Sequence, residues 1–178
     1  MSQFITLKDK QFKPYITQQK IAEAVKNVAG AINEDLKDEF PVFLAVLNGS
    51  FMFASDLLKE IAIPCEISFI KMASYSGLSS SGNVTELIGL TENISGRTVV
   101  IVEDIVDSGI TLEKLITLLA TKNVKQIKVA TILFKPDAYK KHYILDYVGF
   151  QIPNDFVVGY GLDYDGLGRN LKEIHVLA

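Results

Sequence analysis

The stretch Thr98-Val-Val-Ile-Val-Glu-Asp-Ile-Val-Asp-Ser-Gly-Ile-Thr-Leu112 carries an apolar strand into two consecutive acids, a third acid, and a turn of small and hydroxyl residues. Val99 to Val102 is an unbroken β-branched run, the composition of a strand covered on both faces in a parallel sheet. Parallel sheets bind ligands beyond the carboxyl ends of their strands. That end is expected at Glu103-Asp104, followed by Asp107-Ser108-Gly109-Ile110-Thr111 and a helix from about Thr111 to Thr121.

The chemistry of this turn suits a phosphate. Gly109 permits close backbone approach or positive φ, so that successive N–H groups converge on one anion. Ser108 and Thr111 add hydroxyl donors, and the helix that follows aims its N-terminal amides and positive dipole end at the same point. Three carboxylates would repel a phosphate, so they face sugar hydroxyls, a divalent cation or a proton to be removed. The combination points to a phosphorylated sugar. Turns and helix caps favour Asp, Ser, Thr and Gly in any protein, but that preference does not account for adjacent acids ending a buried strand, where unpaired charge is costly.

A chain of 178 residues with 48% hydrophobic content is expected to form one domain with a full core. A net charge of -3 disfavours broad affinity for nucleic acid or anionic membranes. Single Cys65 cannot pair within the chain, as suits a reducing compartment. The first ten residues lack the basic start and apolar centre of a signal peptide, and no run approaches a membrane span. The expected location is the cytoplasm.

Ile21, Val25, Val28 and Ile32 recur at helical spacing after Thr17, a fitting N-cap. Pro41 opens a strand, Val42 to Leu47, and Asn48-Gly49-Ser50 turns it into a second helix whose Phe51, Phe53, Ala54, Leu57 and Leu58 read as core. Further strands are expected near Glu66 to Met72, Val84 to Leu90, Ile127 to Phe134 and Phe156 to Gly159. Between the first two of these lies Ala73 to Asn83, whose five serines and two glycines predict a flexible loop. The alternation predicts an α/β fold with a mainly parallel sheet. Leu47 to Ser50 forms a second strand-turn-helix anion site, weak by itself because Asn-Gly is a common turn. Lys135, held out of helical conformation by Pro136, closes a strand at the same edge, although an isolated lysine is most often solvated. Phe156 reads by default as core.

The segment from Glu103 to Thr111 resembles the ribose-phosphate signature of phosphoribosyltransferases. Taken in order with Leu47 to Ser50, Ser74-Tyr75, Lys135, Phe156 to Asp163 and Arg169, the stretch from about Val42 to Arg169 resembles the hypoxanthine-guanine branch of the type I purine phosphoribosyltransferases. The resemblance implies a mainly parallel twisted sheet flanked by helices, with a small hood built from the terminal segments. It implies a single domain over 1–178, a mobile lid at about 73–83, and a base-binding hood at about 135–178 with N-terminal contributions.

The implied reaction moves the 5-phosphoribosyl group from phosphoribosyl pyrophosphate to a 6-oxopurine, hypoxanthine or guanine, with Mg2+. IMP or GMP and pyrophosphate are the products. Glu103 and Asp104 would hold the ribose hydroxyls, and the two with Asp163 would serve the metal. Because strand side chains alternate, both acids reach one sugar only if the strand ends or twists at Asp104. Asp107 would be the general base for the purine N7 proton, and Asp107, Ser108, Gly109, Ile110 and Thr111 would hold the 5-phosphate. Lys135 would donate to the 6-oxo group, Phe156 would stack on the ring, and the Val157 backbone would meet its far edge. Asn48, Gly49 and Arg169 would take pyrophosphate, and Ser74 and Tyr75 would close the lid against water.

Asn48 departs from the family pattern, since many members carry Lys there. The loss of that charge lowers the expected pyrophosphate affinity unless the backbone supplies the binding. The resemblance further implies a homodimer or homotetramer. Two other classes remain open to a sequence reading: a regulatory nucleotide- or RNA-binding protein on the same scaffold, and a metal-dependent phosphoryl-transfer protein. The first calls for a basic face, which the overall acidity of the chain disfavours, and the second leaves Lys135, Phe156 and Arg169 without a task.

Overall fold

The computed structural model describes residues 4–72, 86–88 and 93–178. Ser74, Tyr75 and the remainder of the expected lid lie outside the described residues, as do the ends of the expected strand Val84 to Leu90.

Thr17 caps α1 (Gln18–Asp35) by accepting from the Lys20 amide, and Ile21, Val25, Val28 and Ile32 are its buried stripe. The apolar run Val42–Leu47 forms β3, buried along nearly its whole length. It pairs in parallel with β4 (Glu66–Met72) and with β6 (Thr98–Val106). Beyond β6 come β7 (Gln126–Phe134) and β8 (Tyr147–Gln151), both parallel, while β5 (Glu86–Ile88) runs antiparallel at the other edge. The sheet order is β5-β4-β3-β6-β7-β8, so five parallel strands make up its body.

Strand alternation divides the core. Phe43, Ala45, Val100 and Val102 meet α1 and α2 (Phe51–Glu60) on one face. Val42, Leu44, Val99 and Ile101 meet Leu112, Leu115 and Leu119 of α3 (Ile110–Ala120) on the other. The terminal segments build a second, antiparallel sheet: β1 (Ile5–Leu7), β2 (Lys10–Ile16), β10 (Ile174–Leu177) and β9 (Val157–Val158). Its Ile16, Val157, Ile174 and Val176 join the α1/α2 core. None of the helices among the described residues is long and apolar enough to cross a membrane.

Several expectations are corrected here. The strand expected to end at Glu103-Asp104 runs on to Val106, because Ile105 and Val106 keep pairing with Leu133 and Phe134. The helix expected at Thr111 begins one residue earlier, on Gly109 as its cap. The strand near Phe156 belongs to the hood sheet, not to the parallel sheet, and β8, in the main sheet, lies within the stretch 135–178 assigned to the hood. Phe51 is 43% exposed, not core, since α2 packs on β3 and β6 and the side chain at its first turn points away from them.

Candidate active site

The carboxyl ends of β3 and β6 open on a cleft of about 350 Å³, lined by Gly49, Glu103, Asp104 and the turn from Asp107 to Thr111. Gly109 adopts φ 81° and caps α3, leaving the first amides of the helix free of any side-chain cap. Tyr139 and Lys141 pack so closely over Gly109 that a Cβ there would overlap both. Lys141 also pairs with Glu113 of the first helical turn at 2.6 Å, neutralising a carboxylate beside the anion position.

Because β6 continues, alternation sends Glu103 and Asp104 to opposite sides, although both line the cleft. The expected strand end at Asp104 is therefore not the device that presents them. Burial pushes the Glu103 carboxyl well above its usual range, and the neighbouring Asp104 adds to this. Asp104 is itself raised to about 6 by burial, against the opposing pull of backbone amides and Arg169. Its carboxylate occupies the space that a Gly49 Cβ would fill, so position 49 must lack a side chain.

The register of β6 and β7 places Val106 opposite Phe134, and so brings the next residues, Asp107 and Lys135, together at the strand ends. Lys135 Nζ lies 3.3 Å from Asp107 Oδ2. Lys135 is buried, not solvated as an isolated lysine usually is, whereas the Asp107 side chain is 53% exposed to the cleft. An ammonium donor and a proton acceptor thus share one corner.

On the third side, Arg169 donates to Asp163 Oδ1 and to the Gly161 carbonyl, both at 2.6 Å. Gly161, at φ 100°, presses against the Gly49 carbonyl, which ties this arm to the Asn48-Gly49 loop. Asn48 is exposed, and the Leu47–Asn48 peptide bond is cis. The Ser50 hydroxyl donates back to the Val46 carbonyl and does not cap α2, whose first amides carry no side-chain cap.

Phe156 is 45% exposed rather than core, with Tyr164 edge-on at 5.9 Å and Phe12 at 6.2 Å. The Leu177 amide donates to the Phe156 carbonyl, so antiparallel alternation turns the backbone groups of Val157 toward the open edge of the hood sheet. Sequence reasoning missed Tyr164, Tyr139 and Lys141. Tyr164 directly follows the singled-out segment Phe156 to Asp163, but only the fold brings its ring to Phe156.

Among the described residues, no three His, Cys, Asp or Glu side chains converge as a metal cage. Asp104 and Asp163 are close enough for Asp163 to raise the Asp104 carboxyl, a donor set that fits Mg2+ held mainly by phosphate oxygens and water.

The family described as Phosphoribosyl transferase domain matches residues 14–165. A hypoxanthine-guanine phosphoribosyltransferase of Bacillus subtilis is 40% identical over 166 residues, 93% of this chain and 92% of that protein. The Mycobacterium avium protein of the same name is 44% identical, over 89% of this chain and 76% of its own length. A crystal structure of a hypoxanthine-guanine phosphoribosyltransferase from Bacillus anthracis superposes with a TM-score of 0.86 at 39% identity, covering 93% of this chain and 96% of that one.

Proposed function

From the chain's membership of the phosphoribosyltransferase family, whose hypoxanthine-guanine members it matches over most of its length, we propose a complete reaction for its purine phosphoribosyl transfer in salvage. The donor is phosphoribosyl pyrophosphate with Mg2+, the acceptor is hypoxanthine or guanine, and the products are IMP or GMP with pyrophosphate. The Lys135–Asp107 pair carries this reading, because it sets a 6-oxo donor beside a base at the end of the phosphate turn. A cation at that position suits a carbonyl and opposes the donor amine of adenine.

In this reading the amides and hydroxyls of Ser108 to Thr111 hold the 5-phosphate, and Glu103 and Asp104 face the ribose. As the bond from the anomeric carbon to pyrophosphate breaks, positive charge grows on the ring beside these carboxyl groups. The purine nitrogen bonds that carbon while Asp107 takes the N7 proton and Lys135 stabilises the 6-oxygen. Phe156 and the Val157 backbone fix the ring plane, and Arg169 with the loop amides of Asn48-Gly49 receives the leaving group. Mg2+ would be held at Asp104 and Asp163 together with phosphate oxygens and water, with Glu103 as the neighbouring acid, and would supply charge neutralisation of the diphosphate. Exposed Phe51, Ile67 and Phe69 support assembly into a homodimer or homotetramer. Incubation with phosphoribosyl pyrophosphate, Mg2+ and each of hypoxanthine, guanine, xanthine and adenine, with product analysis, tests the reading. Transfer to adenine alone would overturn it.

Lys135→Ala should raise KM for every 6-oxopurine about 10- to 100-fold, the scale of one charged hydrogen bond, and leave the donor KM nearly unchanged. A change confined to the donor KM would move Lys135 to the other substrate.

Arg169→Ala should raise the product-inhibition constant for pyrophosphate more than any change at Asn48, since it removes a planar donor fork and the cationic partner of Asp163. Asn48→Lys should lower that constant by at most about 1–2 kcal/mol equivalent, as befits an exposed position. An unaltered constant in Arg169→Ala would remove Arg169 from the site.

A further inference from the structure

Tyr164 stands between the two arms of this site. Its hydroxyl donates to Asp9 Oδ1 at 2.8 Å, its ring meets Phe156 edge-on at an interplanar angle of 85°, and Phe12 packs on it at 6.1 Å. Lys10 Nζ lies 5.6 Å from the ring centroid. Asp9, Lys10 and Phe12 all come from the hairpin β1–β2. The same hairpin sends Lys8 to Asp165 at 2.8 Å and packs Leu7 against Gly168. The grip is therefore on the whole turn 163–168, not on one side chain.

That turn is built around Tyr164. Its backbone exchanges hydrogen bonds with Leu167, and the Gly166 amide donates to Asp163 Oδ2 at 2.7 Å. Asp163, the residue before Tyr164, holds Arg169 through its other oxygen. Phe156 immediately precedes an edge strand of only two residues, and its aromatic contacts among the described residues are Phe12 and Tyr164. The Tyr164 ring thus holds Phe156 together with Phe12 and, through the chain, is linked to the placement of the Asp163–Arg169 pair.

We propose that Tyr164 is a positioning residue for both the acceptor base and the leaving group, with the N-terminal hairpin as its anchor. The proposal rests on the assignment of Phe156 to the base and Arg169 to pyrophosphate. Its function differs from that of a structural aromatic because it joins two binding events, while the contacts of its ring and hydroxyl are with Phe156, Phe12, Lys10 and Asp9 and not with the 5-phosphate turn.

The test compares three constants in Tyr164→Ala: KM for hypoxanthine, the product-inhibition constant for pyrophosphate, and the dissociation constant of ribose 5-phosphate. Loss of the edge-on contact should raise the first about 3- to 10-fold. The second should rise with it, and the third should stay within about twofold, as for a site with no shared contacts. Tyr164→Phe keeps the ring and should return the hypoxanthine constant to within about twofold of wild type. No change in Tyr164→Ala, or an equal rise in all three constants, overturns the proposal. A wild-type protein that transfers to no purine would overturn the functional reading itself, and this proposal with it.

Discussion

Asp107→Asn is expected to lower turnover with hypoxanthine by about 10²–10⁴-fold, the range of a lost general base, while the fold and sugar-phosphate binding persist. The side chain is about half exposed, so no core contact is lost. The amide keeps the shape and can still meet Lys135 through its oxygen, but it cannot take up the N7 proton. Donor affinity should change little, because the phosphate is held by the amides and hydroxyls of the following residues. Rapid mixing to obtain the transfer step, calorimetry with the donor, and a melting curve separate these effects. Turnover within a few-fold of wild type would remove Asp107 from the chemistry, and a collapsed melting temperature would make it a structural residue.

The legible parts of this fold are those where local pattern and tertiary demand agree. β3 and β4 were read to the residue because apolar runs sit between Pro41, Pro64 and the Asn-Gly turn. The buried stripe of α1 was likewise plain in its spacing. The end of β6 was misread because Glu103-Asp104 looks like a strand terminus, and only the partner strand reveals that Ile105 and Val106 continue the ladder. β1, β2 and β10 were not individually legible: β2 contains Pro14 and buries only Phe12 and Ile16, so its alternation is faint.

The candidate site divides the same way. Its phosphate turn is contiguous in sequence and could be read from residue chemistry. The Lys135–Asp107 pair depends on the register of two strands, and the Asp163–Arg169–Gly161–Gly49 connection depends on segments more than a hundred residues apart meeting. Resemblance could name those residues. Only the fold shows that Lys135 is buried and that Phe156 has an open face.

The double variant Glu103→Gln, Asp104→Asn is expected to lose at least about 10²-fold in transfer, as removal of charge facing a developing cation should, and yet to outlast the wild type in thermal unfolding at pH 8. Both carboxyls are raised by burial, Asp104 to about 6 and Glu103 well above its ordinary value. An acid whose pKa is higher in the folded than in the unfolded chain adds stability that is complete below the unfolded value and is lost as pH rises through the folded one. The wild-type protein, freed of divalent cations by a chelator, should therefore lose stability as pH rises from about 4 to 7, by about 1–3 kcal/mol from Asp104 alone, and further at higher pH as Glu103 ionises. Glu39 and Asp9 are shifted the opposite way, by Lys125 and Tyr164 respectively, and lose their contribution as pH falls below about 4.5, so the fall in stability above that pH belongs to the buried pair. Neutral amides at 103 and 104 carry no such penalty, and the melting temperature of the variant should be flat where that of the wild type falls. Donor with Mg2+ should restore the wild type at pH 8 and do little for the variant, because the charge that destabilises the empty protein is the charge the bound sugar and cation require. Parallel melting curves for the two proteins over that pH range, or an active double variant, would show that these acids are not held at the expense of stability for the sake of the site.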